Sequence, residues 1–291
     1  MQAGEVGRVL STDGTPNAFW RGGAGPPLVI VHGTAGNHRS FRLVQPLLEE
    51  HFTVYAMDRR GRGESGDSPK YAIEREFEDL AALVDSLGVP ANLLGHSFGA
   101  TCALGAAPLA RNLRKLVLYE PAPGIPSVPT GSIERMEQHI RRGERDQTMT
   151  VMFREVLELS EEELAQFRAL PTWPMRLAAA HTVPRELRAE EGYRPDPERF
   201  RSVTAPALLV LGGESPVWAH QGTEVARAVL PHAQGHRPPR AGTPRLCDRA
   251  GVVHDRGRAL LAGAVTRCPY GDRSERQPSE VARQEKALER I

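Results

Sequence analysis

The sequence is short of cysteine, lysine, aromatic residues and long apolar runs, and each shortage narrows what the chain can be. Three cysteines in 291 residues, Cys102, Cys247 and Cys268, are too widely spaced for a disulfide framework or a zinc pattern, so they read as free thiols. Lysine supplies three of the 37 basic residues, a bias toward GC-rich codons that carries no chemistry. No apolar run approaches the ~18 residues of a membrane span, and Met1 to Thr12 lacks the basic and apolar regions of a signal peptide. Together these predict a cytoplasmic protein with no membrane partner. A formal net charge of only +1 argues against nucleic acid as an obligatory partner. That near-neutral total hides a split, because residues 1–234 hold 25 Lys+Arg against 29 Asp+Glu, while residues 235–291 hold 12 against 7.

With 40% apolar and 25% charged residues the composition is that of a soluble globular protein, long enough for one large domain or two small ones. Short apolar runs at Leu28 to Val31, Thr53 to Met57, Asn92 to Leu94, Leu116 to Leu118 and Ala207 to Leu211 read as strands. Between them Phe41 to Glu50, Ile73 to Leu87 and Phe98 to Leu109 read as amphipathic or small-residue helices. The pattern predicts an α/β fold with a mostly parallel sheet covered by helices on both faces. From Ile125 to Val203 the rhythm breaks. The segment has no convincing strand, is punctuated by proline, and contains helix-like stretches such as Ile133 to Arg142 and Glu161 to Leu170, the latter with Ser160 placed to cap it. A helical insertion between two strands predicts a cap over the strand ends, where ligands bind. The expected division is therefore 1–124 and 204–234 for the core, 125–203 for the helical cap, and 235–291 for an Arg-rich, poorly ordered tail.

The most informative pentapeptide is G-H-S-F-G, Gly95 to Gly99, between an apolar run and a small-residue helix. That is the context of a nucleophile elbow, in which small flanking residues permit a sharp turn and the Ser97 hydroxyl is lifted off the sheet. Upstream, Pro26 to Gly36 reads P-P-L-V-I-V-H-G-T-A-G, and Asp58 to Ser65 reads D-R-R-G-R-G-E-S. With these three blocks at their observed spacing, residues 18–234 resemble the α/β-hydrolase family. The resemblance implies Ser97 as nucleophile and the amides of Thr34 and Phe98 as the oxyanion hole, with no metal and no cofactor. Serine at the elbow argues against the haloalkane dehalogenases and epoxide hydrolases of that fold, which carry aspartate there. The implied substrate is a small carboxylic ester, lactone or thioester. Rival readings are a cofactor-free haloperoxidase-like or C–C bond hydrolase, and a catalytically inactive protein that keeps the pocket. Nothing in the sequence sets the substrate or the oligomeric state.

A serine needs a base, and the base needs an orienting acid. Two acids qualify: Glu120, in L-V-L-Y-E-P, and Glu214, in L-V-L-G-G-E-S-P. Aligning G-G-E-S with the family's G-x-x-D turn puts Ser215 at the acid position, which favours Glu120. His32 and His96 belong to the motifs and are expected to shape the pocket. His38 is expected to be an exposed loop residue or a substrate contact. Met136, Met149, Met152, Phe153, Trp173 and Met175 are expected either to line an acyl pocket or to form core beneath the cap.

The histidine itself is missing. After the helix at Val217 to Leu230, the family pattern requires a last strand, a G-H loop carrying the base, and a closing helix. Instead the chain reads G-H-R-P-P-R-A-G-T-P-R-L-C-D-R-A-G from Gly235, with 11 Arg in 57 residues and Tyr270 as its single aromatic. Moving the reading one nucleotide forward from Gly235 allows synonymous codons that spell V-T-V-L-P-G-Q-G-H-H-A-Y-A-T-A-P-E-L-F-T-T-E-V-A-R-F-L. That peptide contains the missing strand, the G-H loop and the closing helix, with its first histidine across Thr243 and Pro244. The expectation is a one-base shift near Gln234 that removed the last strand, the base and the closing helix. If the tail is instead a genuine divergent terminus, His236 or His254 is the remaining choice of base.

Overall fold

The computed structural model describes residues 5–212, 215–230 and 232–236. Among the described residues eight strands form one sheet in the order β1-β2-β4-β3-β5-β6-β7-β8. They are β1 (Glu5–Leu10), β2 (Pro16–Gly22), β3 (Pro27–Val31), β4 (Thr53–Met57), β5 (Ala91–His96), β6 (Leu113–Tyr119), β7 (Ala207–Val210) and β8 (Gln234–His236). From β4 to β8 all neighbours are parallel, while β1 and β2 form an antiparallel edge that the apolar-run reading did not single out.

The parallel strands are buried on both faces, and alternation along each strand divides the core in two. Leu28 and Ile30 of β3 face one side with Val54, Ala56, Leu94 and Val117. There they meet Leu48 of α1 (Gln45–Glu49) and Phe41 and Val44 from the segment that leads into it. Val29 and Val31 face the other side with Leu93, Leu116 and Leu118. They pack on Phe77, Leu80 and Val84 of α2 (Ile73–Ser86) and on Ala100, Ala103 and Leu104 of α3 (Phe98–Ala106).

Between β6 and β7 the described chain is helical: α4 (Ser132–Arg141), α5 (Arg145–Val151), α6 (Glu161–Arg168), α7 (Trp173–Ala179), α8 (Val183–Gly192) and α9 (Pro197–Phe200). This segment has its own apolar cluster around Met136, Met149, Phe153, Leu164, Trp173 and Leu187. Ser160 accepts from the Glu163 amide and the Glu163 carboxylate accepts from the Ser160 amide, the reciprocal capping box that starts α6. Among the described residues no helix is long and apolar enough to cross a membrane.

One expectation needs correction. The sequence pattern gives no strand after Ala233, yet β8 begins at Gln234 and pairs with β7 through Leu208 and Gln234, Leu209 and Gly235, and Val210 and His236. Strand pairing uses backbone donors and acceptors, which a Q-G-H stretch supplies as well as a β-branched run does. The α10 helix (Val217–Val229) precedes it, as the pattern requires. The expected loss of the rest of the strand and of the closing helix, and the poorly ordered tail with Cys247, Cys268 and His254, lie outside the described residues.

Candidate active site

Ser97 sits between the last residue of β5 and the first of α3 with φ 54° and ψ −128°. A non-glycine residue held at positive φ stores backbone strain, and such strain clusters at functional sites. The glycines on either side are required by contact. A Cβ on Gly95 would lie 2.3 Å from the Gly99 carbonyl oxygen, and one on Gly99 would lie 2.4 Å from the His32 carbonyl oxygen. The Ser97 amide is anchored to the Tyr119 carbonyl at 2.9 Å. The Ser97 carbonyl accepts from Ala100 and Thr101, which leaves the Phe98 amide among the N–H groups that a helix start does not bond internally.

The Gly33–Thr34 loop runs directly beside the serine. A Cβ on Gly33 would stand 3.0 Å from Ser97 Cβ and 3.4 Å from Ser97 Oγ. Thr34, Ser97 and Glu120 line one cavity of about 550 Å³, together with His96, Tyr119 and Ser215. Phe98 itself is buried, its ring 4.5 Å beneath the Arg59 guanidinium.

Glu120 follows β6 with φ 50°, and its amide is held by Val210 of β7 at 3.0 Å. Its carboxylate accepts a short hydrogen bond from Ser215 Oγ and lies 3.8 Å from His96 Nε2. Burial pushes this carboxyl up, but His96, Ser215 and the Gly212 backbone more than offset it, so the group is held below its ordinary value and is charged at neutral pH. The position that aligns with the family's acid is thus a serine that serves Glu120. The other candidate acid, Glu214, lies outside the described residues.

The histidines separate by their partners. His32 is fully buried. Its Nδ1 donates to the Gly33 carbonyl at 2.8 Å and its Nε2 accepts from the Arg59 amide at 3.2 Å, which fixes a neutral imidazole in one tautomer. Burial, with the Arg59 and Arg62 charges beside it, pushes its pKa well down. His96 lines the cavity and stacks on Tyr119, ring centroids 5.0 Å apart. His38 is neither an exposed loop residue nor on the cavity wall. It stacks on Trp20 at 3.5 Å and pairs with the buried Asp58 at 2.9 Å, which pins the loop after β3 to β2 and β4. His236 ends β8 through its backbone pairing with Val210.

The methionine and aromatic group also divides. Met152 and Phe153 line the cavity, while Met136, Met149 and Trp173 are core of the helical segment. Arg176, buried on the cavity wall between the rings of Phe153 and Phe167, was not singled out by the sequence. Nor were the roles of Arg59 and Arg62 in D-R-R-G-R-G-E-S. Both are buried and ion-paired, Arg59 to Glu76 and Glu186, and Arg62 to Glu186. The signal was present in the letters: three arginines directly after a buried strand must find carboxylates or carbonyls.

Comparison with known proteins agrees with this geometry. The model of the Alpha/beta hydrolase family matches residues 28–264. A crystal structure of an alpha/beta hydrolase from Sphaerobacter thermophilus is similar, with a TM-score of 0.75 and 34% identity, over 89% of this chain and 100% of that one. The 2-(acetamidomethylene)succinate hydrolase of Mesorhizobium japonicum is 26% identical over 191 residues, 64% of this chain and 62% of that protein. The N-formylmaleamate deformylase of Pseudomonas putida is 35% identical over 121 residues, 40% of this chain and 45% of that protein. The chain thus spans less than two thirds of the length of either relative. The chain belongs to the alpha/beta hydrolase family.

Proposed function

We propose that the site is that of a serine hydrolase transferring an acyl group to water. Ser97 Oγ attacks the carbonyl carbon of a small carboxylic ester, lactone or thioester, and the Thr34 and Phe98 amides hold the oxyanion. Glu120 orients the histidine that takes the serine proton and returns it to the leaving group. Water then repeats the attack on the acyl-enzyme, releasing the acid and restoring Ser97. The 125–203 segment is the cap that closes the cavity over the strand ends, and the substrate is met in the cytoplasm without nucleic acid or membrane.

The observation that carries this reading is Ser97, strained at the β5–α3 turn with the Gly33–Thr34 loop against its side chain. The hydrogen bond from Ser215 to Glu120 supports Glu120 as the acid, since Ser215 stands at the position that aligns with the family's acid and its hydroxyl donates to the Glu120 carboxylate. The names of the two relatives, a hydrolase and a deformylase, agree with removal of an acyl group from a small molecule.

The base belongs to the segment that the shifted frame replaces. In a serine hydrolase the serine and histidine act as a unit, and losing either costs on the order of a millionfold in turnover. The chain as it stands therefore turns over p-nitrophenyl esters weakly or not at all. Purified protein assayed on such esters, with Ser97→Ala beside it, tests this. Fast turnover abolished by Ser97→Ala would show that the tail supplies a working base, and residual turnover unaffected by Ser97→Ala would remove Ser97 from the chemistry.

A further inference from the structure

Two buried arginines, a glutamate from the helical segment and the backbone of the Gly33–Thr34 loop form one connected network. Arg59 Nε donates to the His32 carbonyl at 3.0 Å and its Nη2 donates to the Gly33 carbonyl at 3.2 Å. The same guanidinium donates to Glu76 of α2 and to Glu186 of α8, each at 2.9 Å. Arg62 Nη1 reaches the Gly36 carbonyl at 3.5 Å, and its Nη2 pairs with Glu186 and donates to Thr182 at 2.5 Å. Arg59, Glu76 and Glu186 are almost wholly out of solvent, so their charges are stabilised by one another rather than by water.

The Gly33 carbonyl and the Thr34 N–H belong to one planar trans peptide, in which C=O and N–H point in opposite directions. Whatever holds that oxygen aims that hydrogen. Three donors hold it: the neutral His32 ring, the Arg59 guanidinium and, at 3.3 Å, the Gly36 amide, of which only Arg59 ties the oxygen to α8. A charged donor on the carbonyl also polarises the peptide and makes its N–H a stronger donor. Arg59 lies as well against the ring of Phe98, the residue carrying the second amide.

We propose that Arg59 and Glu186 are positioning residues that aim the Thr34 amide at the oxyanion, with Glu186 making that aim depend on where α8 sits. This rests on the serine hydrolase reading of Ser97 and Thr34. A cap helix that shifts when substrate enters pulls on the donor through Glu186, Arg59 and the Gly33 carbonyl, with no contact between α8 and the substrate.

The test uses the full chain and three variants: Glu186→Gln, Arg59→Lys, and the charge-balanced double variant Glu186→Gln with Arg62→Gln. The double variant removes one charge of each sign, so it keeps the clamp testable if Glu186→Gln alone does not fold. Backbone hydrogen exchange across residues 32–37 is expected to accelerate about tenfold or more in each folded variant, while β5 and α3 exchange as before. The rate of Ser97 modification by a fluorophosphonate at saturating reagent is expected to fall about tenfold, with half-saturation changed less than twofold. Arg59→Lys keeps the charge and loses the fork, so a normal rate in that variant would overturn the positioning role. Unchanged exchange at 32–37 in folded Glu186→Gln, or in the double variant, would overturn the clamp. A chain without its base labels slowly or not at all at Ser97, and hydrogen exchange at residues 32–37 then decides whether the clamp exists, while absence of Ser97 labelling in the frame-restored protein would overturn the hydrolase reading.

Discussion

On the β3, β5 and β6 side of the site, each part is fixed by several independent contacts. On the β7 and β8 side, the described chain contributes Gly212, Ser215, Pro216, Val217, Trp218 and Gln221 to the cavity wall, and β8 is a strand of three residues. The first side holds the strained Ser97 turn, the Gly33–Thr34 loop braced by His32 and Arg59, and Glu120 bonded to Ser215. The second side is where the resemblance places the base, and the residues expected to carry it lie outside the described ones. Ser97 and the Gly33–Thr34 loop are thus organised by β3, β5 and β6, while Glu120 also draws its amide partner Val210 and its hydroxyl partner Ser215 from the β7 side.

The largest expected effect restores the second side. If the tail is a shifted frame, resetting it after Gln234 supplies the rest of the last strand, the G-H loop and the closing helix, and is expected to raise ester turnover on the order of a millionfold. Steady-state kinetics on a p-nitrophenyl ester panel measures the gain. A frame-restored protein that folds and shows no gain would mean that the base does not come from that segment.

In the restored protein the acid can then be assigned. Removing the charge of a triad acid while keeping its shape costs about 10⁴-fold in turnover. Glu120→Gln is expected to lose that much, and Glu214→Gln less than about tenfold. The reverse order would place the acid on the β7 side and leave Ser215 as its neighbour. Either outcome sharpens which side of the site owns which part.

How much of this was legible beforehand follows from what side-chain pattern encodes. Leu28 to Val31 and Thr53 to Met57 announced β3 and β4 because strands buried on both faces must be apolar throughout. G-H-S-F-G announced the elbow because only glycine fits at 95 and 99. The antiparallel β1 and β2 were less visible, since an edge with Val6 and Leu10 exposed carries no strict alternation. His38 was misplaced because its ring is claimed by Trp20 and Asp58, partners 18 and 20 positions away along the chain that no local motif names. The Arg59 and Glu186 pairing spans 127 positions and joins two segments whose meeting depends on the whole topology. Local chemistry was readable, and long-range pairing of buried charges was not.

A smaller effect probes how the helical segment is attached to α3. Glu190 of α8 accepts from Thr101 Oγ1 of α3 at 2.6 Å in a fully buried position. Burial raises its pKa from 4.5 to about 7, against the lowering pull of Thr101 and Arg59. The folded state therefore holds this proton more tightly than the unfolded chain does. The resulting stabilisation is complete below about pH 4.5 and is lost as pH rises through about 7. The full swing is about 3 kcal/mol at roughly 1.4 kcal/mol per pH unit. Glu190→Gln has no proton to lose and still accepts from Thr101, so its stability relative to the unmodified protein should grow by about that amount between pH 5 and pH 8. Urea unfolding at the two pH values measures it, and equal slopes with pH would show that Glu190 is charged without penalty.

The smallest effect separates the stability of the helical segment from the geometry of the site. Ser160 and Glu163 satisfy each other's backbone donors at the start of α6, whose Leu164 is buried in the cluster around Met149 and Phe153. Ser160→Ala removes one of those bonds and is expected to cost about 1 kcal/mol, read from the denaturant midpoint. The connection from the segment to the Gly33–Thr34 loop runs through Glu186 on α8 and not through α6. Hydrogen exchange at residues 32–37 should therefore stay as it is in Ser160→Ala while it accelerates in Glu186→Gln. If both substitutions loosen the loop equally, the loop responds to the stability of the whole segment, and the specific path through Arg59 is wrong.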